Sequence, residues 1–167
     1  YVYANSHGFT GREHGTGHSI SCSLIAGSGA AMQRDYWWTH ACAPEDMEAP
    51  EAVGRRAAER TIARMDPRPV ATGTYPVLFA PEIARSLVGH LVSAVSGGAQ
   101  YRRASFLLDH LGKRLFPDWV QIVERPHLRR GNRSAGFDSE GVATRDNPLI
   151  SDGVLARYVL GSYSARK

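Results

Sequence analysis

Two periods organise the hydrophobic positions of this 167-residue chain. Across His18–Ala26 apolar and polar residues alternate, the period of a half-buried strand. "HSISCSLIA" and the aromatic-rich "MQRDYWWTHACA" flank the turn "GSGA", so a hairpin is expected there. Centred on Ser28 and Gly29, it sets His18 opposite Thr39 and Cys22 opposite Asp35. The opening "YVYAN" also reads as strand. The period then lengthens. After a polar link containing Pro44 and Pro50, "EAVGRRAAERTIARM" predicts a helix, which "DPRP" ends. Val53, Ala57, Ala58, Ile62 and Met65 lie on its apolar side, with Arg55, Arg56, Glu59, Arg60 and Arg64 elsewhere.

"TYPVLFAP" predicts a short apolar strand. It feeds a second helix within Phe79–Gly98, where Ile83, Leu87, Leu91 and Ala94 recur at helical spacing. Pro81 and Glu82 suit its first turn, and Gly97-Gly98 supplies a stop. His90 shares the apolar face, so it is expected to be a hydrogen-bonded histidine in a packed interface. "ASFLLDHLGKRLF" is expected to be helical, "DWVQIVE" a strand and "RPHLRRGNRSAG" a basic loop. The segment from Val142 predicts two strands around an Asp152-Gly153 turn. Strands and helices mix without a strict βαβ rhythm. The fold class is therefore α+β: a mixed or antiparallel sheet with several packed helices.

Composition narrows the class without naming a chemistry. Hydrophobic residues make up 43% and charged residues 22%, a soluble globular balance. The length suits one domain with a real core. No apolar run reaches the ~20 residues that span a bilayer. A net charge of +4 permits an acidic partner without demanding one. Two cysteines, Cys22 and Cys42, are too few for a disulfide scaffold and fit reduced thiols in a cytosol. Opening on a strand and stopping at "SYSARK", the chain is expected to be a piece of a longer protein.

Candidate chemistry is sparse. His18, Cys22, His40 and Cys42 make a familiar zinc count, but along a hairpin Cys22 lies roughly 13 Å from His18, too far to share one ion. "GFTGREHGTG", which contains His14, lacks a Gly-Lys-Ser/Thr ending and leads into a strand, so it reads as a flexible connection rather than a phosphate loop. Arg125, His127, Arg129, Arg130 and Arg133 form a basic loop without the interleaved aromatics that stack bases. It reads as a solvated turn or as a surface facing an acidic protein. Asp138 and Glu140 would share a face if "FDSEG" were strand, yet paired carboxylates do acid/base work only with shifted pKa values. No nucleophile elbow and no Cys/His pair stands in a recognisable context.

Eight stretches point further: "NSHGF", "HSISCSLIA", "MQRDY", "GHLVSAVSGGAQYR", "SFLLDHLGKRLFPDW", "PHLRRG", "FDSEGV" and "YVLGSYSARK". Together, and in this order, they resemble the TldD/PmbA family, specifically its PmbA (TldE) branch, once called modulators of DNA gyrase. The resemblance implies the end of an N-terminal domain over about 1–70 and most of a C-terminal domain over about 71–167. It implies that TldD-type subunits carry a His-Glu-x-x-x-His motif on the helix equivalent to Phe79–Gly98. Aligned on Val-Gly-His, that motif places Arg85 at the first histidine, Ser86 at the glutamate and His90 at the second histidine. Two imidazoles would hold zinc and the carboxylate would take a proton from metal-bound water. Arginine offers a metal no lone pair, and serine is no general base unaided. Residues five apart on a regular helix also diverge by about 140°, so convergence needs a widened turn, which Gly89 would permit. The resemblance thus implies a degenerate motif and no cofactor in this chain. Zinc is expected in a TldD-type partner, the pair forming a cytoplasmic metallopeptidase that processes peptides. A divergent metallopeptidase using His90 with His7, His14 or residues beyond Lys167 is the enzyme alternative. A modulator of gyrase is the third, although contact with DNA or gyrase is not expected from these residues.

Overall fold

The structure is a computed structural model that describes residues 1–167. In chain order the strands and helices are β1 (Val2–Ala4), β2 (Thr10–Arg12), β3 (His18–Ala26), β4 (Gln33–Ala41), α1 (Pro50–Ala63), α2 (Pro81–Ala94), α3 (Gly97–Tyr101), β5 (Ile122–Glu124), β6 (Asn147–Ser151) and β7 (Val154–Leu155). Single 3-10 turns occupy Gly29–Ala31, Pro44–Asp46 and Ser164–Arg166. The fold is α+β with antiparallel strand pairs. No helix is long and apolar enough to cross a membrane. The chain forms two units. One comprises Tyr1, Glu13–Thr74 and Arg129–Ser134; the other comprises Val2–Arg12, Tyr75–Leu128 and Ala135–Lys167.

The first unit is the β3–β4 hairpin with α1 against one face. His18 pairs with Ala41 and Cys22 with Trp37. This register is two residues from the one expected. The connection contains a 3-10 turn and runs through Gly27 and Gly29 at φ +85° and +55°, conformations that glycine adopts without a Cβ clash. A slip of two preserves which face each side chain takes. Asp35, Thr39 and Ala41 are buried, as are Val53, Ala57 and Thr61 of α1. The buried stripe of α1 therefore runs one step round from the one expected, and Ile62 is exposed. Thr61 fits the interior because its hydroxyl donates to the Ala57 carbonyl at 2.7 Å. Trp37 lies beneath Arg56 and Arg60, at 4.3 and 5.3 Å from its ring centroid, and its Nε1 donates to Glu48. The Arg130 guanidinium bridges Asp46 and Glu45 at 2.9 and 2.8 Å, which ties the loop residues Arg129–Ser134 into this unit.

The second unit closes around Leu91, Ala94, Val95, Leu107, Ile150 and Leu155. β5, β6 and β7 form its three-stranded sheet, and Asp152 and Gly153, at φ +50° and +75°, make the expected tight turn. "ASFLLDHLGKRLF" is not a helix. Arg103, Asp109 and Gly112 all sit at positive φ, which interrupts the αR run, and the segment instead wraps the β6–β7 turn. The Leu115 and Phe116 amides donate to the Gly153 carbonyl at 2.8 and 3.0 Å, and the Gly112 amide to the Leu155 carbonyl at 2.9 Å. "TYPVLFAP" is not a strand either. No partner strand takes its backbone groups, Pro76 and Pro81 have no amide to give, and Leu78 is 98% exposed. "GFTGREHGTG" begins with β2, which pairs with β1 over Thr10–Arg12 and is not simply a flexible connection. Gly97 does not only stop α2. It opens α3 with Ser96 as its cap, and a Cβ there would lie 2.0 Å from Ser164 Oγ.

Candidate functional site

Helix α2 carries the three motif positions. Pro81 starts it where a missing amide costs nothing, and the Ile83 and Ala84 amides close its first turn on the Ala80 carbonyl at 2.9 and 2.8 Å. It remains α-helical to Ala94 and ends at Val95, φ −92°, ψ 5°. No widened turn occurs at Gly89. Ser86 and His90, one turn apart, therefore share a side, while Arg85 projects about 140° round from His90.

The expected packed interface is not formed within this chain. Leu91 and Ala94 are buried, but Ile83 and Leu87 are 52% and 50% exposed. His90 is exposed with them and has no hydrogen-bond partner, so the reading of a satisfied core histidine is corrected. The Ser86 hydroxyl donates to the Ile83 carbonyl at 2.7 Å, which commits its proton to the helix backbone. Nothing lies within 4 Å of a Cβ built on Gly89. Gly89→Ala is accordingly expected to raise the stability of the isolated chain by about 0.5–1 kcal/mol, the helix-propensity gain, measured by urea unfolding; a loss would show that the residue is packed closely.

A zinc ion does not fit these positions. Arg85 is cationic with no lone pair for a metal, Ser86 is engaged, and His90 stands as one donor. No three His, Cys, Asp or Glu side chains converge anywhere in the chain. His7 sits in the β1–β2 turn, its amide donating to Asn5 Oδ1 at 3.0 Å, and His14 lines an open recess with Tyr1, Glu13 and Thr16. His40, opposite Ser19, takes the hairpin face away from Cys22, which is opposite Trp37. The Cys42 thiol donates to Asn132 Oδ1 at 3.5 Å.

"FDSEG" forms a turn rather than a strand. Asp138 Oδ1 accepts the Glu140 and Val142 amides, both at 2.9 Å, while Phe137 bridges Ala143. Glu140 Oε2 accepts the Ser162 amide at 2.9 Å and its hydroxyl at 2.7 Å. That amide, then that hydroxyl, hold the Glu140 carboxyl below its ordinary range. Both carboxylates are thus spent on tying chain segments together. The link from Glu140 to Ser162 had no sequence signal, because its halves stand 22 residues apart. Nor had the edge-on Tyr101–Tyr163 pair, with centroids 5.4 Å apart and hydroxyls at 3.3 Å.

Residues 1–65 match the family model of the PmbA/TldA metallopeptidase central domain, and residues 72–167 match that of the PmbA/TldA metallopeptidase C-terminal domain. The chain belongs to the PmbA/TldD family. It is 48% identical over 166 residues to the metalloprotease PmbA of Escherichia coli O157:H7, covering 99% of this chain and 37% of that protein. Identity to the metalloprotease PmbA homolog of Haemophilus influenzae is 42% over 166 residues, again 99% of this chain and 37% of that protein. Among solved structures, a protein of Bacteroides thetaiotaomicron described as a candidate modulator of DNA gyrase superposes with a TM-score of 0.90 at 29% identity, covering 96% of this chain and 37% of that one. The chain therefore spans a little over a third of the length of these relatives.

Proposed function

We propose that this chain acts as a non-catalytic, PmbA/TldE-type part of a zinc metallopeptidase of the TldD/TldE kind, in which a TldD-type subunit carries the metal and the pair processes peptides in the cytoplasm. The observation that carries the reading is α2: a regular helix presenting an arginine, an engaged serine and one unpartnered histidine where the resemblance puts two ligands and a base. The similarity to PmbA proteins across almost the whole chain supports the same branch. A gyrase-directed role draws on the arginine-rich loop alone, and there Arg130 is already paired with Glu45 and Asp46.

The test is zinc content and peptidase activity of the purified full-length protein, alone and with a TldD-type subunit. Alone it is expected to hold less than about a tenth of an equivalent of zinc, since one imidazole does not make a structural or catalytic site, and to cleave no peptide. Close to one equivalent, lost on His90→Ala, would instead establish a divergent metallopeptidase.

A further inference from the structure

We propose that the recess lined by Arg125, His127, Leu128, Arg145 and Asp146 binds a monoanionic carboxylate, the free C-terminus of a peptide. The peptide half of this assignment rests on the function proposed above; the carboxylate half rests on the recess. Sheet register builds it. Glu124 pairs with Asn147 across β5 and β6, so the residues leaving β5 lie beside those leading into β6. Arg125 and His127 are thereby brought against Arg145 and Asp146.

The walls are fixed to the backbone. The Pro126 carbonyl accepts the Ala135 amide at 3.0 Å, and the Thr144 amide donates to Gly136 at 3.1 Å. The Thr144 hydroxyl donates to the Ala135 carbonyl and lies 3.0 Å from His127 Nε2. A hydroxyl has one proton, and a carbonyl can only accept. His127 Nε2 is therefore the donor to Thr144, and the imidazole is held in one orientation.

Charge then selects the ligand. Two guanidinium groups face one carboxylate. The single ion pair among them, Arg125 to Asp146, is long at 3.9 Å with both side chains 61% exposed, and Arg145 makes no hydrogen bond or ion pair. Net positive charge and an unengaged planar fork suit a carboxylate. With Asp146 counted, the two guanidinium groups leave one net positive charge, which a monoanion neutralises and a dianion over-neutralises. The recess, about 340 Å³, has room for a terminal residue, and exposed Leu128 offers its side chain an apolar contact.

The experiment is calorimetric titration of the purified protein with acetyl-Ala-Ala-Leu as the free acid, with the same peptide as its C-terminal amide, and with inorganic phosphate. The free acid is expected to bind, with the amide at least about tenfold weaker, as loss of a charge-assisted pair requires. Arg145→Gln and Arg125→Gln should each weaken the acid by about fivefold or more, whereas Arg129→Gln, outside the recess, should not. Because these arginines are exposed, the variants are expected to keep the wild-type circular dichroism. Equal binding of acid and amide, phosphate binding as tight as the acid, or no binding of either peptide would each overturn the proposal. None of these results bears on the non-catalytic reading, which zinc content and activity with the partner decide separately.

Discussion

Replacing Gly153 with alanine is expected to destabilise the protein by about 3–5 kcal/mol. The residue sits at φ +75°, where a side chain costs about 1–2 kcal/mol in backbone strain. A Cβ there would lie 2.1 Å from the Phe116 carbonyl oxygen and 2.5 Å from that of Pro117. Those atoms are main chain, so they move only by opening the wrap of that segment around the turn, at about 1–3 kcal/mol for overpacking. The opening also disturbs the bonds from the Leu115 and Phe116 amides to Gly153 and from the Gly153 amide to Val120, each contributing about 1 kcal/mol. Urea unfolding monitored by circular dichroism measures the difference. A loss below about 1 kcal/mol would mean that residues 113–120 do not pack on the turn in this way.

This wrap shows where local reading fails. The helical reading of residues 104–116 looked only within that segment, but the forces that set its backbone lie at Gly153, Leu155 and Tyr158. The His110 amide donates to the Tyr158 hydroxyl at 2.9 Å, and that hydroxyl donates to the Leu107 carbonyl at 3.0 Å. Partners some 50 residues away leave no periodic trace. Where strands meet across a short loop, the pattern was enough. The expected hairpin pairing kept each side chain on its observed face even though the register moved by two, because strand faces repeat with that period.

Helix α2 is intermediate between these cases. Its period correctly announced a helix and correctly put His90 beside Leu87, but amphipathicity says which face is apolar and not whether this chain supplies the surface to cover it. The three motif positions were legible through the family resemblance alone. Helical spacing by itself gave His90 a core role that its exposure does not support. The recess at Arg125 was visible in the sequence only as half a basic loop. Its other half, Arg145 and Asp146, joins through the β5–β6 register, which no spacing in the loop encodes.

Asp35→Asn is the second large effect expected, and it carries a pH signature. Asp35 is buried, accepting Arg64 Nε at 2.7 Å and the Tyr36 amide at 2.8 Å, with Arg60 Nε at 3.4 Å. Burial opposes its charged form. The Arg64 hydrogen bond, the Tyr36 amide and the charges of Arg60 and Arg64 outweigh that, so its carboxyl is held below the ordinary aspartate value. Removing the charge leaves two guanidinium groups facing a neutral amide at the α1–β4 seam. Loss of one partner of a buried pair costs about 3–5 kcal/mol, and the partial exposure of both arginines brings the expectation to about 2–4 kcal/mol near neutral pH. Because the folded pKa is depressed, the unfolded chain binds the proton first as pH falls. The stabilisation is therefore complete above the unfolded aspartate pKa of about 3.9 and disappears as pH drops through the folded value. Wild type should lose stability across that acidic window, while Asp35→Asn, having no carboxyl to protonate there, should lose less. Urea midpoints at pH 7 and pH 3 for both proteins make the comparison. Equal stability at pH 7, or the same acid loss in both, would show that α1 is held to the hairpin by its apolar stripe alone and that the Asp35–Arg60–Arg64 cluster is not what fixes the helix there.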